Sequence, residues 1–171
     1  LEKVRVKYNG PDSKTSRMCM DKFDTATKIN NLNITGINSA NQIVLKIKDI
    51  KDCKTEWKNL LKNLGSKTII VKPRADGCSS GIFRLFDAKD LEKYVNIVRS
   101  GALHVASGTF TNQKDIVDMP TTKVDELLFE NFIETDIIKV EKVKLKYTKR
   151  TGWIEVTVAV LTEKNKIYVM N

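Results

Sequence analysis

The chemistry in this 171-residue chain is concentrated in one short stretch, Ile69-Ile70-Val71-Lys72-Pro73-Arg74-Ala75-Asp76-Gly77-Cys78-Ser79-Ser80-Gly81-Ile82. An apolar run ends in a lysine, a proline stops it, and a loop of small residues follows before apolar residues resume. A strand–loop–strand of this composition presents an ammonium group and several main-chain N–H groups together, which is the equipment for holding a phosphate. Gly77 and Gly81 let the backbone approach a ligand closely, and Ser79 and Ser80 add hydroxyl donors. The order is not GxxxxGK[ST], which excludes a Walker-type loop, and the loop does not open into a helix, which excludes a dinucleotide fingerprint. The same pattern also describes an ordinary turn between two strands with no ligand at all.

Other reactive residue types offer less. Cys19, Cys53 and Cys78 are odd in number and contain no CxxC pair, and His104 is the single histidine, so a structural zinc site is not expected. The cysteines read as reduced thiols of an intracellular, cytoplasmic protein, with Cys19 and Cys53 on the apolar faces of helices. No nucleophile–base pattern surrounds His104, which reads as structural. The net charge of +9 favours polyanionic partners, but the lysines form no block of five or six, so a solvated surface accounts for them. No apolar run approaches the roughly 18 residues of a membrane span. The composition, 41% hydrophobic and 30% charged, is that of a globular chain able to bury a core in one domain or two small ones. The chain begins at Leu1 without a secretory signal, and reads as a piece of a longer protein.

The elements that must position these groups follow from periodicity. Lys3–Tyr8 is a weak strand or a linker, and residues 9–13 are a turn cluster. Ser16 is placed to cap a helix running to about Asn30, with Cys19, Phe23, Ala26 and Ile29 on its apolar side. Ile43, Leu45 and Ile47 alternate as a strand does. Asp52 caps a helix whose apolar face is Cys53, Trp57, Leu60, Leu61 and Leu64, and Gly65 closes it. A strand over Lys67–Val71 leads into the lysine loop, and a second lies near Ile82–Phe86. Ala88–Arg99 is amphipathic, with Leu91, Tyr94, Val95 and Val98 inward and Gly101 after it. Leu103–Lys123 is polar, aperiodic and long for a connection, so it is functional or partly disordered. Leu127–Ile133 is a buried strand. Ile137–Tyr147 alternates strictly, Thr148–Gly152 suits a hairpin turn, and Ile154–Leu161 with Lys166–Met170 forms a hairpin around residues 163–165. The fold class is α+β, a mostly antiparallel sheet with helices packed on one face.

Four segments, in order, resemble motifs of the ATP-grasp superfamily, in its D-alanine–D-alanine ligase branch. Val71-Lys72-Pro73 through Gly77-Cys78-Ser79-Ser80-Gly81 is similar to that branch's lysine and phosphate loop. Cys19-Met20-Asp21-Lys22, after the turn at Tyr8-Asn9-Gly10, resembles its Met-Asp-Lys helix start. Leu127 to Glu134 resembles the strand and hinge that grip adenine, and Ile154 to Leu161 the glutamate-bearing strand after the hinge. The resemblance implies that Lys22 and Lys72 contact the phosphates of ATP from two sides. It implies a lid at Gly77, Cys78, Ser79, Ser80 and Gly81 holding the outer phosphates. Glu130 and the main chain of Asn131 and Ile133 would read the adenine edge, Glu155 the ribose hydroxyls, and Ile70 and Phe132 would wall the base.

Departures matter too. Cys78 stands where the family usually has serine, and Asn131 where lysine is frequent; residues 103–123 and 137–152 look like insertions. The family's Mg²⁺ ligands and its transition-state arginine are expected outside this chain. The expected organisation is therefore a linker or strand over residues 1–16, entering from an N-terminal domain, followed by a central ATP-binding subdomain over 17–171. By itself this portion is expected to be inactive. Within the full protein it would bind ATP with Mg²⁺ and act on small carboxylate and amine substrates through an acyl phosphate. A non-catalytic ATP-grasp-like interaction domain is the alternative. A basic nucleic-acid module is permitted by charge, yet no aromatic-rich RNA-binding strand or recognition-helix motif supports it. The sequence leaves the oligomeric state open.

Overall fold

The computed structural model describes residues 2–8, 10–163 and 166–170, and they form two compact units that divide after Phe132. The first unit is built on a four-stranded antiparallel sheet in the order β1 (Gln42–Lys46), β6 (Glu126–Asn131), β2 (Ile69–Pro73) and β3 (Phe83–Leu85). Its helices are α1 (Ser13–Met20), α2 (Lys22–Asn31), α3 (Cys53–Leu64) and α4 (Ala88–Ser100). Between α4 and β6, two short strands, β4 (His104–Val105) and β5 (Val117–Asp118), pair with each other.

Local pattern explains α3 and α4. The Asp52 carboxylate accepts from the Lys54 N–H at the start of α3, and Gly65 takes the left-handed conformation (φ 62°) that ends it. Trp57, Leu60 and Leu64 are buried on its inward face, with Cys53 and Leu61 packed at the margin. Burial pushes the Cys53 thiol above its ordinary pKa, which keeps it unreactive. The Asp87 carboxylate caps α4, which buries Leu91, Tyr94 and Val95. The two helices pack on each other and on one face of the sheet, where Ile69, Val71, Phe83, Leu85, Leu127 and Phe129 complete the core.

Several elements differ from the sequence reading. Lys3–Tyr8 is not a strand: Glu2–Val4 is a 3-10 turn and irregular chain follows. The first helix is two helices, capped by Asp12 and Asp21 rather than by Ser16. The helical period across Cys19, Phe23 and Ala26 hid a break at Asp21 (φ −84°, ψ 103°), which a long-range contact described below holds open. Cys19 is consequently exposed and outside the core, because α1 buries no side chain. Residues 103–123 are ordered by burial: Val105, Phe110 and Met119 enter the core, with Phe110 against Phe83 at 4.5 Å between ring centroids. Three apolar anchors in a polar stretch leave no periodicity to detect.

The second unit consists of two hairpins, β7 (Ile137–Glu141) with β8 (Lys144–Thr148), and β9 (Ala159–Glu163) with β10 (Lys166–Met170). The strict alternation of 137–147 conceals a reversal at Lys142, which takes a left-handed φ of 59°. Residues 154–158 are not in a strand; β9 begins at Ala159. Of the expected turn at residues 163–165, Lys164 and Asn165 lie outside the described residues.

Candidate functional site

The sheet face turned away from the core carries the polar groups. In β2 the buried Ile69, Val71 and Pro73 alternate with half-buried Ile70 and Lys72, so the last two share that other face. Strand register then sets a row across all four strands: Gln42, Glu130, Ile70 and Arg84 are successive neighbours. The adjacent row is Val44, Leu128 and Lys72.

Lys72 Nζ lies 2.6 Å from Glu130 Oε2, and the pair is largely buried, with side chains 17% and 12% exposed. The other carboxylate oxygen, Glu130 Oε1, accepts from Gln42 Nε2 at 2.5 Å. Glu130 is thus held from both sides and keeps lone pairs to accept from a further donor. Gln42 escaped the sequence reading: it is one polar residue at a strand edge, and only its register opposite Glu130 reveals the contact.

Lys22 reaches the same region from the start of α2. Its ammonium donates to the main-chain oxygens of Asp76 (2.6 Å) and Pro73 (3.3 Å), and its N–H to the oxygen of Arg74 (3.1 Å). Burial lowers its pKa, and the positive charge of Lys72 lowers it further, so two cations converge where the backbone alone satisfies one of them. The break at Asp21 makes this possible. The Asp21 carboxylate receives Arg74 Nε (2.9 and 3.1 Å), its backbone bridges Ala75, and it also caps α2 through the Asp24 N–H. Arg74 further binds Glu126 (2.9 Å) and Asp24 (3.2 Å) and lies over the Phe23 ring. The lysine loop and the α1–α2 junction are therefore locked together.

Within the loop, hydrogen bonding sorts the donors. The Gly77 N–H goes to the Asp76 carboxylate and the Ser80 N–H to the Gly77 oxygen. Gly81 is buried and anchored: its N–H donates to Asp118 (2.8 Å), and its oxygen accepts from the Tyr94 hydroxyl (2.8 Å), a phenol that burial keeps protonated. A side chain at Gly81 would come within 3.1 Å of Pro73 on a backbone with φ 65°. The Ser80 hydroxyl also leans on Asp118. Cys78 and Ser79 remain exposed, in consecutive left-handed conformations (φ 53° and 57°), and their N–H groups donate to no acceptor among the described residues. The bond from the Ser80 N–H to the Gly77 oxygen closes a turn over residues 77–80 that leaves these two main-chain donors side by side.

The remaining expected residues divide. Asn131 continues β6, its side-chain oxygen accepting from the Asn41 N–H (2.8 Å) and its own N–H donating to Asn41 O. Phe132 is covered by the Arg84 guanidinium, 3.5 Å from its ring centroid, so one ring face is already taken. Ile133 is exposed, and its N–H donates to no acceptor among the described residues. Glu155 lies exposed in the irregular stretch before β9, in the second unit. Among the described residues no three His, Cys, Asp or Glu side chains gather as a metal site, and Glu130, Asp76 and Asp21 are each engaged as above. These residues do not fit a magnesium site. No helix among them is long and apolar enough to cross a membrane.

No family model and no curated protein matches this sequence. Solved structures do match its fold. The D-alanine-D-alanine ligase from Coxiella burnetii superposes with a TM-score of 0.50 at 18% identity, over 73% of this chain and 29% of the ligase. D-alanyl-alanine synthetase A from Vibrio cholerae O1 biovar eltor superposes with a TM-score of 0.58 at 12% identity, over 98% of this chain and 37% of that one. The chain thus spans about a third of the length of these enzymes, and it has their ATP-grasp type of α+β fold.

Proposed function

We propose that this chain is the ATP-binding part, over residues 17–171, of an ATP-dependent carboxylate–amine ligase. The observation that carries this reading is the convergence of Lys22 and Lys72, from α2 and β2, beside a loop with two free N–H donors. Glu130 offsets the charge of Lys72, while the Lys22 ammonium contacts main-chain oxygens alone, and phosphates bring the counter-charge that it lacks. Lys22 and Lys72 hold them from two sides, and the N–H groups of Cys78 and Ser79 take the outermost one. Because these donors are main-chain groups, the cysteine at position 78 costs a hydroxyl but no N–H. Glu130, oriented by Gln42, accepts from the amino group of adenine. Ile70 lies beneath the base.

In the full protein a substrate carboxylate oxygen attacks the γ-phosphorus and ADP leaves. An amine then attacks the acyl phosphate carbon, and inorganic phosphate leaves. The cations here position the nucleotide for the first step.

Thermal unfolding with a non-hydrolysable ATP analogue tests the reading. At a hundred-fold excess over Kd, binding adds about 2.7 kcal/mol, or roughly 5–10 °C in Tm for a chain of this size. A GTP analogue is expected to do much less, since its base presents an oxygen where Glu130 offers only acceptors. No shift with millimolar ATP analogue would refute the reading.

The depressed pKa of Lys22 gives a second expected result. Phosphate binding needs the ammonium form, so affinity falls as pH rises through that lowered pKa, earlier than the value of about 10.4 for an ordinary lysine would dictate. Calorimetric titrations of the analogue between pH 7 and 10 should show weakening and proton uptake that Lys22→Arg removes. An affinity flat across that range would separate Lys22 from the phosphates.

A further inference from the structure

The lysines look evenly spread in sequence, but the second unit gathers many of them. Between Ile137 and Arg150 lie six basic side chains and one acidic one, more than half of the chain's net +9. The β7–β8 register sets Lys139 opposite Lys146 and Glu141 opposite Lys144. Side chains alternate along a strand, so Lys139, Lys144 and Lys146 share one face with the single acidic residue Glu141, while Ile138, Val140, Leu145 and Tyr147 share the other. Like charges directly opposite each other destabilise a ribbon. Among the described residues the ion pairs of this segment are Lys146 with Glu141 and Arg150 with Glu134, both 3.4 Å. Lys139, Lys142, Lys144 and Lys149 are exposed and have none.

The ribbon is braced at its base. The Asp136 carboxylate accepts from the Tyr147 hydroxyl (2.5 Å) and from the N–H groups of Arg150, Thr151 and Gly152 (2.7, 2.7 and 2.9 Å). These bonds, that of Tyr147 foremost, hold its pKa well below the usual carboxylate range, so the brace stays ionised at neutral pH. Asp136 N–H also donates to the Trp153 oxygen at 2.7 Å. A face on which Lys139 and Lys144 are unpaired is therefore presented on a braced support.

We propose that the basic face of the β7–β8 ribbon docks on the phosphate backbone of duplex DNA. Lys144 and Lys146 are about 7 Å apart along one strand, with Lys139 across from them, which makes a ladder of point charges. A two-stranded ribbon is an element that the B-form major groove, about 12 Å wide, admits, whereas the A-form groove of duplex RNA is too deep and narrow. Single strands are held by stacking on aromatic rings; the basic face has none, and Tyr147 lies on the other face with its hydroxyl tied to Asp136. A lipid surface takes up the apolar face of an amphipathic element and leaves the charged face to the headgroups and water, so binding through the lysine ladder is told apart from it by the vesicle arm of the test. The contact positions the protein without reading sequence, and it is independent of the nucleotide reading above.

Fluorescence anisotropy with the whole chain and a 20-base-pair random DNA duplex, between 50 and 200 mM salt, tests this against Lys139→Ala/Lys144→Ala/Lys146→Ala. Each phosphate contact adds about 0.9 to the slope of log K on log salt. The triple variant should lose about 2–3 units of slope and bind at least about ten-fold more weakly at 50 mM salt. All three side chains are exposed, and removing them relieves the repulsion between Lys139 and Lys146 while breaking the exposed Lys146–Glu141 pair, two small effects of opposite sign, so a nearly unchanged Tm is expected. The proposal is overturned if the duplex does not bind at 50 mM salt, or if the variant keeps its slope. It is equally overturned if single-stranded DNA, duplex RNA or vesicles containing phosphatidylserine bind more tightly than the DNA duplex.

Discussion

Replacing Lys72 with alanine is expected to remove about half or more of the thermal stabilisation by an ATP analogue. A hydrogen bond to a charged group contributes about 1.5–3 kcal/mol, which is roughly 10–100-fold in affinity. At an analogue concentration that saturates the unaltered protein a hundred-fold, the stabilisation would then fall from about 2.7 kcal/mol to about 1.4 kcal/mol or less. The unliganded protein should also lose stability, because Glu130, 12% exposed, would keep its Gln42 contact but lose its counter-charge. Lys72→Arg retains the charge and separates the two effects: it should restore stability better than nucleotide binding, since a planar fork does not replace a point charge in the same place. An undiminished analogue shift in Lys72→Ala would detach β2 from the phosphates.

Phe110→Ala is expected to be strongly destabilising, although the residue lies in a polar, aperiodic stretch. The ring is 4% exposed, 4.5 Å from Phe83 and 6.4 Å from Tyr94 between centroids, with Lys93 Nζ 5.2 Å above it. Truncating a buried phenylalanine costs about 3–5 kcal/mol, a large share of the roughly 5–15 kcal/mol that holds a domain together. The consequence reaches the site. Tyr94 and Asp118 both anchor Gly81, so loosening residues 103–119 frees the far end of the lysine loop. Urea unfolding followed by tryptophan fluorescence measures the loss, and a change under about 1 kcal/mol would mean that residues 103–123 are a surface loop after all.

The two amphipathic helices were legible because their causes are local. An aspartate cap, an apolar stripe at helical spacing and a closing glycine act within a dozen residues, and α3 and α4 obey all three. The same kind of signal misled at Asp21. The stripe through Cys19, Phe23 and Ala26 fits one helix, but a carboxylate that pairs with Arg74, 53 residues away, gains more than an unbroken helix offers. The reversal at Lys142 was hidden for a related reason. Two strands of equal alternation read as one when the turn between them contains no glycine.

Sequence by itself determined that this chain makes an α+β domain with a lysine-bearing strand, a small-residue loop and strands of helical and extended period around them, because side-chain periodicity and turn chemistry are properties of neighbours. The tertiary structure alone decided which groups meet. Gln42 reaches Glu130 across 88 residues, and Lys22 reaches the loop across 54. It also decided that, of the five loop residues Gly77 to Gly81, only Cys78 and Ser79 keep free N–H donors, and that scattered lysines share one face of a ribbon. Such pairings follow from strand register and burial, and neither leaves a mark on any short window of residues.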